Sequence, residues 1–190
     1  MTNLTDRLNK VLDRMMSDDL LGGRGLGNEI GFHIFDYDPA DELAVRSHIG
    51  FLMAQIPKLR PTLRVKHLNL FSLVTSHLDE RRLLDKALEQ GRKKGDAFLR
   101  KALAEPLHGK KLAPIFEKAS DPKNHDLVLV SGIGSVYPLL RTHSLLNNLH
   151  HVMEHTPLIL FFPGRYDGQS LRLFGLLHDD NYYRAFRLVP

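Results

Sequence analysis

The sequence predicts an α/β fold, a mainly parallel sheet with helices on both faces. Three observations carry that expectation. Short β-branched or apolar runs near residues 32–37, 63–70, 126–130 and 157–162 alternate with longer stretches of helical periodicity. The runs at 126–130, Asp-Leu-Val-Leu-Val, and 157–162 are almost continuously apolar, as strands buried on both faces are. A chain of 190 residues, 43% hydrophobic and 25% charged, has the size and composition of one soluble globular unit, so a single domain over residues 1–190 is expected.

Taken in order, residues 3–16 set Leu4, Leu8, Val11, Leu12 and Met15 at helical spacing, an amphipathic helix whose apolar stripe needs a cover. Gly22, Gly23, Gly25 and Gly27 around Arg24 then read as a loop. They lack a preceding strand and a following Lys-Ser or Lys-Thr, so they make no phosphate-binding fingerprint. Phe32, His33, Ile34, Phe35 and Tyr37 form the first strand. Asp38 is placed to cap a helix starting at Pro39, with Asp41 and Glu42 in the first turn where the helix dipole favours negative charge. That helix is expected to reach Ile56 and to stop at Pro57 and Pro61. Leu63, Val65 and His67 alternate with Arg64 and Lys66 in a second strand, which completes a βαβ unit. One helix is predicted over 71–90. A basic helical segment at about 91–119, inserted between strands, divides in two around Pro106-Leu107-His108-Gly109. After the strand at 126–130, Ser131-Gly132-Ile133-Gly134-Ser135 leads into a helix over 136–155, and the run at 157–162 ends at Pro163-Gly164. The stretches at 171–174 and 185–189 leave no room for a crossover helix, so they are expected to form a C-terminal antiparallel edge meander. The order of elements is Rossmann-like or P-loop-like without a Walker A motif.

Composition removes several function classes. There is no cysteine, which excludes disulfides, thiolate zinc sites and cysteine nucleophiles. The longest apolar run, 157–163, is far short of the roughly 18 residues of a membrane-spanning helix, and the first twenty residues are polar rather than signal-like. A cytoplasmic protein with no membrane partner is expected. The net charge of +4 is unevenly distributed. Residues 1–59 carry 6 basic and 9 acidic side chains, residues 60–118 carry 14 and 7, and residues 119–190 carry 6 of each. The middle third is therefore a handle for nucleic acid or an acidic surface, the plain alternative being a solvated helical face.

Ligands of open α/β sheets collect at the carboxyl ends of the strands. Of the segments that end there, Ser131, Gly132, Gly134 and Ser135 are an anion-binding candidate, since small residues let backbone amides approach an anion; the same glycines also serve simply to turn the chain. Asp36 and Asp38 offer oxygen ligands to a hard cation, although Asp38 is equally a helix cap. His143, His150, His151 and His155 invite a metal reading. His151 and His155 are four apart, but the sequence between them, Val152-Met153-Glu154, misplaces the glutamate of a zinc protease, so no metal site and no cofactor are expected. No Gly-x-Ser-x-Gly elbow accompanies Ser131 or Ser135, so a serine hydrolase is not expected either. Arg165, Tyr166 and Asp167, followed by Tyr182, Tyr183 and Arg184, are candidate partner-binding residues, because Tyr and Arg anchor protein interfaces. Arg92, Lys93, Lys94, Arg100, Lys101, Lys110 and Lys111 are candidate phosphate contacts for DNA or RNA. Phe98 is the one aromatic between residues 72 and 115, too few for reading single-stranded bases by stacking.

Several longer stretches resemble one family. They are Ser-Gly-Ile-Gly-Ser-Val-Tyr-Pro-Leu-Leu-Arg at 131–141, Leu-Leu-Asn-Asn-Leu at 145–149, Phe-Phe-Pro-Gly-Arg-Tyr-Asp-Gly-Gln-Ser-Leu-Arg-Leu-Phe-Gly at 161–175 and Asp-Asn-Tyr-Tyr-Arg-Ala-Phe at 180–186. With Leu-Gly-Asn-Glu-Ile at 26–30 and Phe-Asp-Tyr-Asp-Pro at 35–39, the sequence is similar to the BrxB family of BREX, the bacteriophage-exclusion systems of bacteria and archaea. The resemblance implies membership of a multi-protein apparatus that methylates host DNA at adenine and blocks replication of unmodified phage. Its methyltransferase, its large ATPase and its alkaline-phosphatase-like protein are separate chains and are the implied partners. The family is a small accessory component without established catalytic residues, so none is carried over. A noncatalytic adaptor is the expected role, with a nucleic-acid-binding subunit and a degenerate nucleotide-binding domain as the alternatives.

Overall fold

A computed structural model describes residues 3–22, 31–140, 142–153, 155–178 and 185–190. The N-terminal stripe folds as expected but in short pieces, α1 (Leu4–Asn9), α2 (Val11–Met15) and α3 (Asp18–Leu21), with Leu8, Val11, Met15 and Leu20 turned inward. Strand β1 (Phe32–Tyr37) is buried along its whole length. The Asp38 side chain accepts from the Ala40 amide and caps a single 3-10 turn, Pro39–Asp41, which runs into α4 (Glu42–Leu59). Pro57 does not stop this helix. A proline forfeits one N–H, but buried Ile56 and the Arg60 amide, 2.8 Å from the Ile56 carbonyl, hold the last turn together.

Strand β2 (Val65–Asn69) follows, then α5 (Leu70–Glu80) and α6 (Leu84–Lys94), so the helix expected over 71–90 is two helices. Arg82 takes a left-handed conformation, φ 56°, with its amide on the Asp79 carbonyl and the Leu83 amide on the Leu78 carbonyl. This is a helix C-cap in which Arg stands where Gly is usual, and so leaves no turn residue to read. The basic segment continues as α7 (Asp96–Ala104) and α8 (Gly109–Ser120), leading to β3 (Leu127–Ser131). The helix expected over 136–155 begins only at α10 (Thr142–Met153), while a short α9 (Ile133–Val136) occupies the stretch expected to be a loop; between them Tyr137 precedes a proline and is extended. Strand β4 (Leu158–Tyr166) passes straight through Pro163-Gly164, and β5 (Leu171–Leu173), β6 (Leu177–His178) and β7 (Phe186–Arg187) complete the chain.

The strand order is β2-β3-β4-β1-β7, with β5 on β4 and β6 on β5. All pairs on the main path are parallel. The sheet is α/β and mainly parallel, as expected, but the C-terminal part differs. β1 and β2 are joined by α4 as a βαβ unit, with β3 and β4 inserted between them. The antiparallel meander is confined to β4, β5 and β6. β7 instead lies parallel to β1 on its far side, its placement fixed by the Leu188 amide on the Ile34 carbonyl at 2.8 Å and by burial of Leu188 and Val189.

Side chains alternate across this sheet into two cores. On one face Phe32, Ile34, Val128, Val130, Leu158, Leu160 and Phe162 pack against α5, α8, α9 and α10. On the other, Phe35, Tyr37, Leu127, Leu129, Ile159 and Phe161 pack against the N-terminal helices and α4. The α8–α10 contact is close enough that a Cβ at Gly109 would run into the Ser144 carbonyl. Among the described residues no helix is long and apolar enough to cross a membrane.

Candidate partner-binding site

The carboxyl ends of β1, β4 and β7 open into a cleft of about 620 Å³. Its walls come from Leu4 and Arg7 of α1, the segment from Asp36 to Asp41, the β4–β5 turn, Arg187 and Pro190. At its base is Asp36, 6% exposed. One carboxylate oxygen accepts from Arg7 at 2.8 Å and the other from the Tyr166 amide at 3.1 Å. Arg187 stands 3.9 Å from the second oxygen and donates to the Tyr166 carbonyl. Arg7 in turn reaches the carbonyls of Asp36 (2.7 Å) and Val189 (3.1 Å) and lies over the Phe35 ring. One buried carboxylate thus ties the N-terminal helix, two strand ends and the C-terminal segment together.

The candidate residues in this region separate into different jobs. Tyr166 is a core side chain, 1% exposed, whose hydroxyl donates to the Ala185 carbonyl at 2.7 Å and lies 3.0 Å from the Gly168 carbonyl. Asp167 is exposed but turned into its own loop, accepting from the amides of Gln169 (2.9 Å) and Ser170 (2.7 Å) and from the Ser170 hydroxyl (2.7 Å). The Ser170 amide and hydroxyl, then the Gln169 amide, hold its carboxyl down at about 2. Arg165 is exposed on β4. It sits in register with exposed Arg172 on β5, a functional candidate that no local pattern singles out. Gly164 makes this pairing possible, because a Cβ there would collide with the Arg172 carbonyl. Tyr182, Tyr183 and Arg184 lie outside the described residues, as do the glycine loop at 23–27 and the family-like stretch at 26–30.

Asp36 and Asp38 do not form a cation site, since the first is consumed by Arg7 and the Tyr166 amide and the second by the Ala40 amide. Among the described residues no group of three or more histidine or acidic side chains is arranged to hold a metal. His151 is exposed, and His155 lies beyond the end of α10.

The Ser131–Ser135 loop is on the neighbouring strand ends. Ser131 is buried, and its Oγ lies 2.8 Å from His67 Nε2 of β2. Burial lowers the His67 pKa, so the neutral ring is favoured. Gly132 is left-handed, φ 76°, and a Cβ there would strike the Asn69 side chain, which also caps α5 through the Ser72 amide. Gly134 packs against Phe174 and Pro163. The space over these glycines is thus filled by side chains of the fold, and the loop leads into a helix of only four residues.

Arg92, Lys93 and Lys94 end α6, Arg100 and Lys101 lie on α7, and Lys110 and Lys111 open α8; all seven are exposed. Lys93 pairs with Glu89 (2.5 Å) and Lys111 with Glu105 (2.6 Å), and the Lys94 ammonium lies 4.4 Å from the Phe98 ring centre.

Likeness to known proteins runs over the whole chain. The family model described as BREX protein BrxB matches residues 66–188. A BREX protein BrxB of Bacillus cereus (strain H3081.97) is 38% identical over 193 residues, covering 100% of this chain and 99% of that protein. Another, of Escherichia coli O9:H4 (strain HS), is 41% identical over 184 residues, covering 97% of this chain and 90% of that protein. No solved structure matches. With nearly full-length likeness to two relatives and a family match over most of the chain, the protein belongs to the BrxB family and is a component of BREX phage defence.

Proposed function

We propose that the protein is a noncatalytic adaptor or scaffold subunit of a BREX complex, needed for host DNA methylation and phage exclusion through contacts with a larger BREX protein. The alkaline-phosphatase-like protein, the methyltransferase and the large ATPase are the candidate partners. The observation that carries this reading is the use made of the reactive side chains at the strand ends. Asp36 is bound by Arg7 and the Tyr166 amide, Asp38 caps a turn, and Asp167 closes its own loop, while Arg165 and Arg172 face outward. Such a set suits recognition, since a general base must stand free to meet a proton. The His67–Ser131 pair is the nearest approach to a nucleophile and base, and Ser131 is buried. Purified protein is therefore expected to show no nuclease, ATPase or phosphatase turnover, and Ser131→Ala is expected to leave phage exclusion intact.

The test is affinity purification of the tagged chain from cells carrying a complete BREX system, with and without nuclease. Nuclease-resistant recovery of a BREX protein is the expected result; recovery of nucleic acid alone would overturn the reading. A second reading, a nucleic-acid-binding subunit, rests on the seven exposed cations of α6, α7 and α8. Binding of that kind is weak, indifferent to sequence and lost as salt rises. It should disappear when Lys93, Lys94, Lys110 and Lys111 are changed to Glu.

A further inference from the structure

The β4–β5 wall of the cleft brings two like charges together. Arg165 and Arg172 stand directly opposite one another on adjacent antiparallel strands. Like charges in that position repel and destabilise a sheet. No carboxylate among the described residues pairs with either guanidinium. Asp167, which Arg172 does feel, spends its oxygens on the amides of its own turn. By contrast Arg7 and Arg187, in the same cleft, are both engaged by Asp36 and by backbone carbonyls.

Beside this pair the chain exposes apolar surface. Gly175 lines the cleft, and the next residue, Leu176, is 84% exposed, whereas Leu177 pairs with buried Leu173 and so stands on the other face of the hairpin from Arg172. Left-handed Phe174 and Gly175, φ 58° and 72°, fix this turn at the end of β5, with the Gly175 amide on the Arg172 carbonyl at 3.0 Å. A surface that puts forked cations next to a protruding leucine has the make-up of a protein interface, with Arg anchors beside an apolar centre. A polyanion needs no leucine and would have to approach Asp38 and Asp41, which line the opposite wall.

We propose that Arg165 and Arg172, with Leu176 at the adjoining turn, form a docking site for a segment of a partner protein that carries carboxylate side chains next to an apolar one. This rests on the adaptor reading and names the partner's chemistry. The guanidinium fork takes a carboxylate in two parallel hydrogen bonds, so a pair of such forks relieved of mutual repulsion by one or two carboxylates gives both affinity and register.

The test uses the full chain in cells carrying the complete BREX system, with nuclease present throughout. Three variants are compared: Arg165→Glu with Arg172→Glu, Arg165→Lys with Arg172→Lys, and, as a control of equal charge change, Lys86→Glu with Lys118→Glu. The expected result is that the cleft Glu pair loses BREX partner on the order of tenfold while the control does not. The Lys pair, treated with a carbodiimide that joins amines to touching carboxylates, should yield cross-linked peptides to Asp or Glu of that partner. Wild-type recovery of the partner in the Glu pair overturns the docking site while leaving the adaptor reading standing, as does a Lys pair that binds the partner without cross-linking to it. Failure of the wild-type chain to recover any BREX protein overturns both. If the Glu pair melts below the wild type, the cross-link of the Lys pair decides the matter.

Discussion

The cleft and the basic helical segment are both rich in arginine or lysine, yet they are built in opposite ways. The cleft draws its residues from Leu4 to Pro190 and stands on buried polar groups whose hydrogen bonds span the chain, such as Asp36 with Tyr166. The basic segment is one contiguous stretch. Its helix α6 has no buried residue, and its lysines make local pairs such as Lys93 with Glu89. Exposed pairs of that sort contribute about 0–1 kcal/mol, whereas a buried ion pair is costly to break from one side. In this chain the dense charge lies on exposed helical surface, and the cleft is made of sparse charges that tertiary structure gathers.

The contrast predicts a ranked set of effects. Asp36→Ala should be the largest, since it strips half-buried Arg7 of its carboxylate and the Tyr166 amide of its acceptor; a loss of about 3 kcal/mol is expected in urea unfolding. A loss below about 1 kcal/mol would mean that the cleft is held by packing alone. Next comes acid. Burial, then the charge of Arg14, lowers the His33 pKa on β1 from 6.5 to about 4, so the folded state keeps the neutral ring. The unfolded chain takes up the proton first as pH falls. The contribution of His33 is therefore complete above about pH 6.5, is lost between there and about pH 4, and amounts to up to about 3 kcal/mol. His33→Leu should flatten that slope in a pH series of melting curves. Tyr166→Phe removes a hydroxyl that binds Ala185 and Gly168 while sparing the ring, and should cost about 1–2 kcal/mol. Smallest is Lys93→Glu with Lys94→Glu in the basic segment, expected to stay within about 0.5 kcal/mol of wild type by thermal unfolding. An effect there as large as that of Asp36→Ala would erase the distinction between the two regions.

What could be read in the sequence follows the same division. β1, β3 and β4 were legible because a strand buried on both faces is a run of apolar residues, and Asp38 because a cap acts on its immediate neighbours. The break at Arg82 was not, since a left-handed arginine carries no turn signature. Nor was the far-side pairing of β7, which depends on Leu188 and Val189 finding the second core. The candidate site was half legible. Arg165, Tyr166 and Asp167 read as one unit in the sequence, but inward and outward side chains alternate along β4, so Tyr166 lies in the core. Arg172 stayed hidden because its relation to Arg165 exists only in the register of two strands.

The position of β1 in the sheet has a consequence for how the chain is made. This strand is made before its two neighbours, β4 and β7, so its edges have no partner until residues 158–187 have been synthesised. Pairing so distant in sequence is slow, and an unpaired apolar strand invites association with other chains. An unpaired Phe32–Tyr37 is thus an apolar strand edge left open in a nascent or truncated chain, and a product ending before β4 should be recovered as aggregate.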